Sequence, residues 1–425
     1  VLLDTSASET GTLTLNGEVR SAGGPLTIDA YGAVTVAAGV TLSSGGGDVL
    51  LRSAAGAVTF AADASVTSGG GGLAVLADGT IAAGILDARS ADGAETPDRS
   101  TWGALAVTST TGAITDATAG SGSSPTTNFH ALRLLLRAAT GIGASPVDPA
   151  DASTEGTLEL DAVTLAATTA GGVIALRARD DLETGQLAGF TPTVLAADGS
   201  TGNGPALAAL GGVIHTGTTG AADILLSSDA NLTVSNNDNA GGPDQAVVTS
   251  GAGHLVLSAA TLDLQGYLRS AGGNLSLTAT NNLTLSDAAD AATSGSGTLY
   301  LASASGAVLG AAGSQLATAA GDLLLEAAGN LTLGTVHSSS GGVGIRSTSG
   351  SVLTATGGTH DRTVVTAGSL TLAVDGSVAG ADGASEDLRT AVATLTLSNG
   401  ASGTVYGIRN SGDLRIDATS TSATS

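Results

Sequence analysis

Between Gly253 and Arg346 the chain repeats one short pattern of hydrophobic and polar positions. A small or Gly-rich lead-in precedes an apolar–x–apolar triplet, and a second triplet follows a few residues on. The leading triplets are Leu255/Leu257, Leu275/Leu277, Leu299/Leu301, Leu323/Leu325 and Val343/Ile345, spaced by 20, 24, 24 and 20 residues. Following triplets fall at Leu262/Leu264, Leu283/Leu285, Val308 and Leu331/Leu333. Alternation of apolar positions marks short strands with one buried face. A unit of this length is too short for a domain, but it suits one rung of a parallel β-solenoid.

The N-terminal stretch gives the same rung in fuller form. Leu26/Ile28, Val49/Leu51 and Leu73/Val75 lead, Val34/Val36 and Val58/Phe60 follow, and Val40/Leu42 and Ala64/Val66 form a third set. Three triplets per rung predict a three-sided coil, with Gly/Ser clusters such as Ser43–Gly47 and Ser68–Gly72 turning one corner. Loop excursions are expected near 87–101, 119–128, 145–156, 198–206, 236–245, 357–363 and 380–389, where Pro, Gly and charge interrupt the triplets. The segment Asp180–Gly212 is the least regular, and the Ala-rich run Leu207–Leu210 allows one helical turn at most. No capped stripe of 3.6-residue period is present. The reading is all-β: a single-stranded parallel β-helix continuous over 1–425, in three-sided rungs of about 20–25 residues. Some 16 to 18 rungs, at about 4.8 Å each, would make a rod on the order of 80 Å long.

Asn282 and Asn330, each just before a Leu-Thr-Leu triplet, stand 48 residues apart, with Ala307 between them. That spacing expects a shared corner where the amides bond to neighbouring backbone.

Composition narrows the class of molecule. The chain is 42% hydrophobic but 2% aromatic, with 64 Gly, no Cys and no Met. Small aliphatic residues suit a thin, layered core rather than a wide one, and their abundance excludes general disorder. A net charge of −23, with every basic residue an Arg, argues against nucleic acid and anionic membrane as partners. No uninterrupted apolar run reaches the roughly 18 residues that a membrane span needs. Absence of Cys excludes disulfides and thiolate metal sites, and suits a chain exported unfolded through an outer-membrane pore. The chain starts at Val1 without a charged leader and ends on an open Ser/Thr run, so it reads as an excerpt whose rungs continue in a longer polypeptide or stack end to end on another copy.

Candidate chemistry is sparse. The densest charged cluster is Arg177, Arg179, Asp180, Asp181 and Glu183, the nearest approach to the paired carboxylates of a glycosidase. A solvated loop explains the cluster more simply. Asn236, Asp238 and Asp244 are the weak calcium candidates, in a loop with oxygen ligands but no EF-hand spacing and no closing Glu. A turn rich in Asn, Asp and Gly accounts for it without metal. The five His (130, 215, 254, 337, 360) have no paired ligand spacing and are expected in structural or surface roles. Phosphate-loop, Rossmann and nucleophile-elbow motifs are missing. No catalytic residue, resident cofactor or metal is therefore expected.

The phrases GNLTLGT (329–335), GNLSLTA (273–279), GDLLLEAAG (321–329) and GALAVTSTTGAIT (103–115) resemble the repeats of filamentous-haemagglutinin-like adhesins. The resemblance covers most of the chain outside its loops, without that family's N-terminal secretion motifs. It implies a right-handed parallel β-helix serving as the shaft of a secreted or cell-surface bacterial adhesin or extracellular filament. The implied ligand is a host surface or polysaccharide held at a tip. The alternative is a carbohydrate-binding or carbohydrate-degrading β-helix acting through an acidic loop, since polysaccharide lyases and hydrolases share the architecture.

Overall fold

A computed structural model of the chain describes residues 1–5, 11–90, 99–118, 126–144, 156–218, 223–235, 245–355, 362–379, 387–398 and 406–419. These fall into two compact units, Val1–Gly217 with Ile224–Asp229 and Thr218–Asp223 with Ala230–Ser425. Both are parallel β-helix. Among the described residues the only helical element is a 3-10 turn at Arg99–Thr101.

In the first unit each rung contributes to three parallel ladders. Leu26–Ala30, Val49–Ser53, Leu73–Ala77, Ala104–Ser109 and the later parts of Phe129–Ala138 and Leu158–Thr169 form one. Leu13–Leu15, Val34–Val36, Val58–Phe60, Ile81–Ala83 and Ile114–Asp116 form the second. Val19–Arg20, Thr41–Ser43, Ser65–Thr67 and Ile85–Asp87 lead into the third, which takes in the starts of the two long strands. The second unit repeats this plan. Its leading ladder runs through Leu255–Ala259, Leu275–Ala279, Leu299–Ser303, Leu323–Ala327 and Gly342–Ser347.

Register follows from the triplets. Leu257, Leu277, Leu301, Leu325 and Ile345 are Cα partners in series, and each is 0–1% exposed. A slip of one residue would turn every one of these side chains to the outside, so burial fixes the pairing. Each fully buried aliphatic side chain contributes roughly 1.5–3 kcal/mol, the drive that compensates for the lost chain entropy.

The corners are built from close approach and hydrogen bonding. A Cβ placed on Gly273, Gly297, Gly321 or Gly341 would stand 2.0–2.3 Å from the carbonyl oxygen of Gly253, Gly273, Gly297 or Gly321, respectively. None of these glycines has a positive φ. Glycine is required here because the backbone of the preceding rung occupies the side-chain position, not because of handedness of the turn. Beside this column runs a column of buried hydroxyls: Ser270, Thr293 and Thr318 donate to the carbonyls of Gly273, Gly297 and Gly321 at 2.8, 2.7 and 2.7 Å.

A second device ties each rung to the next. The amides of Ala307 and Ser351 donate to Asn282 Oδ1 and Asn330 Oδ1 at 3.0 and 2.9 Å, as their spacing expects. At the head of the leading strands, Thr298 donates to Asn274 at 3.0 Å and Gly342 to Asp322 at 2.8 Å. These Asx residues thus act as structural staples.

The sequence reading needs correction between Gly185 and Gly212. The run Leu207–Leu210 is not a helical turn: Leu207 bridges Phe190, and Leu210–Gly211 pairs with Gln186–Leu187. The expected loop at 198–206 includes a strand, Thr201–Asn203, antiparallel to Thr193–Leu195. The whole segment is one antiparallel hairpin arm inserted in a parallel coil. At 119–128, Asn128 is a fully buried post: its Nδ2 donates to Asp116 Oδ1 at 2.7 Å and its Oδ1 accepts from the Glu159 amide at 2.9 Å. The bulk of the expected loops at 87–101, 145–156, 236–245, 357–363 and 380–389 lies outside the described residues.

Candidate functional site

The arm rises where Gly212 donates its amide to Gly185 O at 2.9 Å and then lies back across the leading ladder of the first unit. Outward positions of that ladder, Thr27, Leu50, Ala74, Ala106, Leu135 and Ala166, are Cα partners in series and are buried. A contiguous row of apolar residues on the outer face of a sheet makes a patch that favours a cover. Leu187 packs with Ala106, Leu135 and Ala166, and Phe190, Leu207 and Leu210 close over them. Further out, the Thr193 amide donates to Asp48 Oδ2 at 2.7 Å and the Leu195 amide to Thr27 Oγ1 at 2.9 Å. Apolar contact and two charge- or hydroxyl-directed bonds therefore hold the arm along its length.

Between arm and ladder lies a groove of about 400 Å³. Leu76, Ala106, Leu135 and Leu207 form apolar wall, while Arg52, Arg137, Asp78 and Thr108 supply polar atoms. Arg52 is neutralised by Asp29 through a two-pronged contact at 2.8 and 2.7 Å. Asp78 Oδ1 accepts the Thr110 hydroxyl at 2.8 Å. Arg137 has no carboxylate partner among the described residues.

The predicted cluster at 177–183 resolves into separate ion pairs. Arg177 grips Asp229 through Nε and Nη2 at 3.0–3.1 Å. Asp180 pairs with Arg99, and its Oδ1 accepts the Asp181 amide at 2.9 Å. Glu183 stands in register with Thr164. Asp180 is thus engaged by Arg99 and Arg177 by Asp229, each with a partner outside the cluster.

Arg99 also leads to a constellation that the sequence did not indicate. Asp87, His130 and Asp161 are stacked as Cα partners on successive strands of the third ladder. His130 Nδ1 is 3.3 Å from Asp161 Oδ2. Asp161 Oδ1, buried and without a hydrogen bond, lies 3.1 Å from Arg99 Nη2, so that contact is coulombic. Burial alone would raise the Asp161 carboxyl. The His130 hydrogen bond and the charges of Arg99, His130 and Arg89 outweigh it and hold the carboxyl below its ordinary value. Trp102 belongs to the same cluster, its ring centroid 5.3 Å from Arg99 Cζ and 6.0 Å from Arg89 Cζ, within cation–π range.

Of the other described histidines, two bond to backbone and one to a side-chain hydroxyl. His215 Nε2 is 2.9 Å from Gly172 O while its Nδ1 accepts the Gly217 amide at 3.2 Å, and His254 Nδ1 accepts from Asn274 at 3.0 Å. His337 meets Ser339 Oγ at 3.0 Å. His360 and the calcium candidates Asn236, Asp238 and Asp244 lie outside the described residues. Among the described residues no group of three or more His, Cys, Asp or Glu is placed to hold a metal. No helix among them is long and apolar enough to cross a membrane.

The sequence carried no clear signal for the arm. The middle residue of the leading triplet is apolar at Leu50, Ala74, Ala106, Leu135 and Ala166 in the first unit, but the second unit has Val256 and Leu324 at that position as well, and Leu324 is exposed. Comparison with protein-family models, curated proteins and solved structures finds no significant match.

Proposed function

We propose that the chain is a structural segment, a piece of the shaft of a secreted or cell-surface bacterial adhesin or extracellular filament of the filamentous-haemagglutinin-like kind. The observation that carries this reading is the unshifted register of like residues from rung to rung, closed by the same Gly and Ser/Thr corner chemistry. Such a stack invests its sequence in repetition of backbone bonding, which is what a scaffold needs. The net charge of −23 favours solubility and opposes indiscriminate association.

Small-angle scattering with electron microscopy of the purified chain tests the proposal. A compact globule of this length would have a radius of gyration of about 22 Å. A rod on the order of 80 Å long has a radius of gyration only slightly larger, about 25 Å, so shape is the readout: slender particles and a maximum dimension near the rod length are expected. Round particles no longer than they are wide would sink the reading.

The alternative is carbohydrate cleavage through the acidic loop at 177–183. The engagement of Arg177 with Asp229 and of Asp180 with Arg99 favours the structural reading, because these groups already have partners. A screen for polysaccharide depolymerisation, run beside Asp180→Asn/Asp181→Asn, decides between them. Activity that disappears in the double variant would establish the enzyme.

A further inference from the structure

We propose that the groove under the hairpin arm binds a monocarboxylate with an apolar body, its carboxylate held by Arg137. This site lies apart from the stacking that defines a shaft and does not depend on that reading.

The volume of about 400 Å³ falls within the usual range for small-ligand sites, roughly 300–1,000 Å³. Its floor of Leu76, Ala106 and Leu135, with Leu207 opposite, offers surface to an aliphatic or aryl chain but little to a sugar ring. Among the described residues no aromatic side chain lines it. Arg137 and Thr108 are Cα partners on adjacent strands, so a guanidinium and a hydroxyl open onto the same part of the groove.

Charge defines the headgroup. Arg52 already has Asp29 as its counter-ion, whereas Arg137, half-buried, has none among the described residues. A planar guanidinium takes a carboxylate through two parallel hydrogen bonds, a geometry that a point charge does not match. In a chain of net charge −23, an anion approaches only where a local cation outweighs the general repulsion. Asp78 also lines the groove and is one of its acceptors, so a second acidic group on the ligand would face a carboxylate. The combination selects one negative charge and an apolar remainder.

Octanoate is a suitable probe, with 1-octanol as its neutral counterpart, added to the whole chain and followed by calorimetry and by amide shifts of residues 206–210. Octanoate is expected to bind and to shift those amides. Arg137→Gln should weaken binding at least tenfold with an unchanged melting temperature, because the guanidinium has no structural partner to lose. Ala206→Trp, which fills the groove from the arm side, should abolish binding while leaving Arg137 in place. The proposal is overturned if millimolar octanoate produces neither heat nor shifts. It is equally overturned if Arg137→Gln binds as well as the native chain, or if 1-octanol binds as tightly as octanoate.

Discussion

The amide of Thr193 donates to Asp48 Oδ2 at 2.7 Å, joining residues 145 positions apart. The other oxygen of the same carboxylate accepts the Gly72 amide, also at 2.7 Å. One side chain thus serves the coil and the arm together. Asp48→Asn separates the two roles: the amide oxygen still accepts from Gly72, but an NH2 group then faces the Thr193 N–H. The loss should amount to about 1–3 kcal/mol, confined to the arm. Hydrogen exchange is expected to accelerate at Thr193 while Gly72 stays protected. Unchanged exchange at Thr193 would contradict the role given to Asp48.

Removing the arm is a larger test. Gly185 and Gly212 are already hydrogen-bonded neighbours, so residues 186–211 are replaceable by a short Gly/Ser turn. The coil should keep its far-ultraviolet β signature, since the parallel ladders do not run through the arm. Ala106, Leu135 and Ala166 would then face solvent. Increased binding of a hydrophobic dye and self-association are expected, as for any enlarged apolar patch. A monomeric product with no extra dye binding would mean that the arm is not a cover.

Corner glycines predict a sharp contrast. In Gly297→Ala the new Cβ would lie 2.2 Å from Gly273 O, and backbone must move to admit it. Destabilisation of about 1–3 kcal/mol is expected, as for overpacked sites. Gly17 has nothing within 4 Å of its Cβ position and no positive φ. Gly17→Ala should therefore be neutral or slightly stabilising. Denaturant midpoints of the two variants make the comparison, and equal shifts would refute the close-approach argument.

Two half-buried aspartates should respond to pH in opposite senses. Asp161 has its carboxyl lowered in the folded state despite burial, so it adds stability above its unfolded value and loses it as pH falls through the folded one. Asp290 is the reverse: burial raises it more than the nearby Arg269 lowers it. Its ionisation opposes folding, so its penalty grows as pH rises from the unfolded value through the folded one. At neutral pH, Asp161→Asn should lower the melting temperature, and Asp290→Asn should leave it unchanged or raise it. At a pH below both carboxyl ranges the two differences should shrink. Melting curves from pH 3 to 7 would reject this account if both variants fell together at pH 7.

Much of the coil was legible because its rung has a period. Leu255, Leu275 and Leu299 announce a repeated strand, and parallel stacking turns equal spacing into equal register. Asn282 and Asn330 were legible for the same reason. Asp161, His130 and Arg99 were not, because an irregular number of residues separates them. Their meeting depends on how far each intervening loop travels before its strand rejoins the ladder. Leu50 and Ala74 did not announce the arm either, because Leu324 holds the same position in the second unit and is exposed.

What the sequence by itself determined is the repeating element: inward aliphatics, corner glycines and the staples between rungs. Each depends only on contacts between one rung and the next, and local spacing encodes those contacts. Tertiary structure decided the arm, its groove and the partners of Asp180 and Arg177. These join segments remote along the chain, and no period relates Thr193 to Asp48 or Leu207 to Leu135. Their contacts exist only because the folded coil presents an uncovered apolar face for the hairpin to occupy.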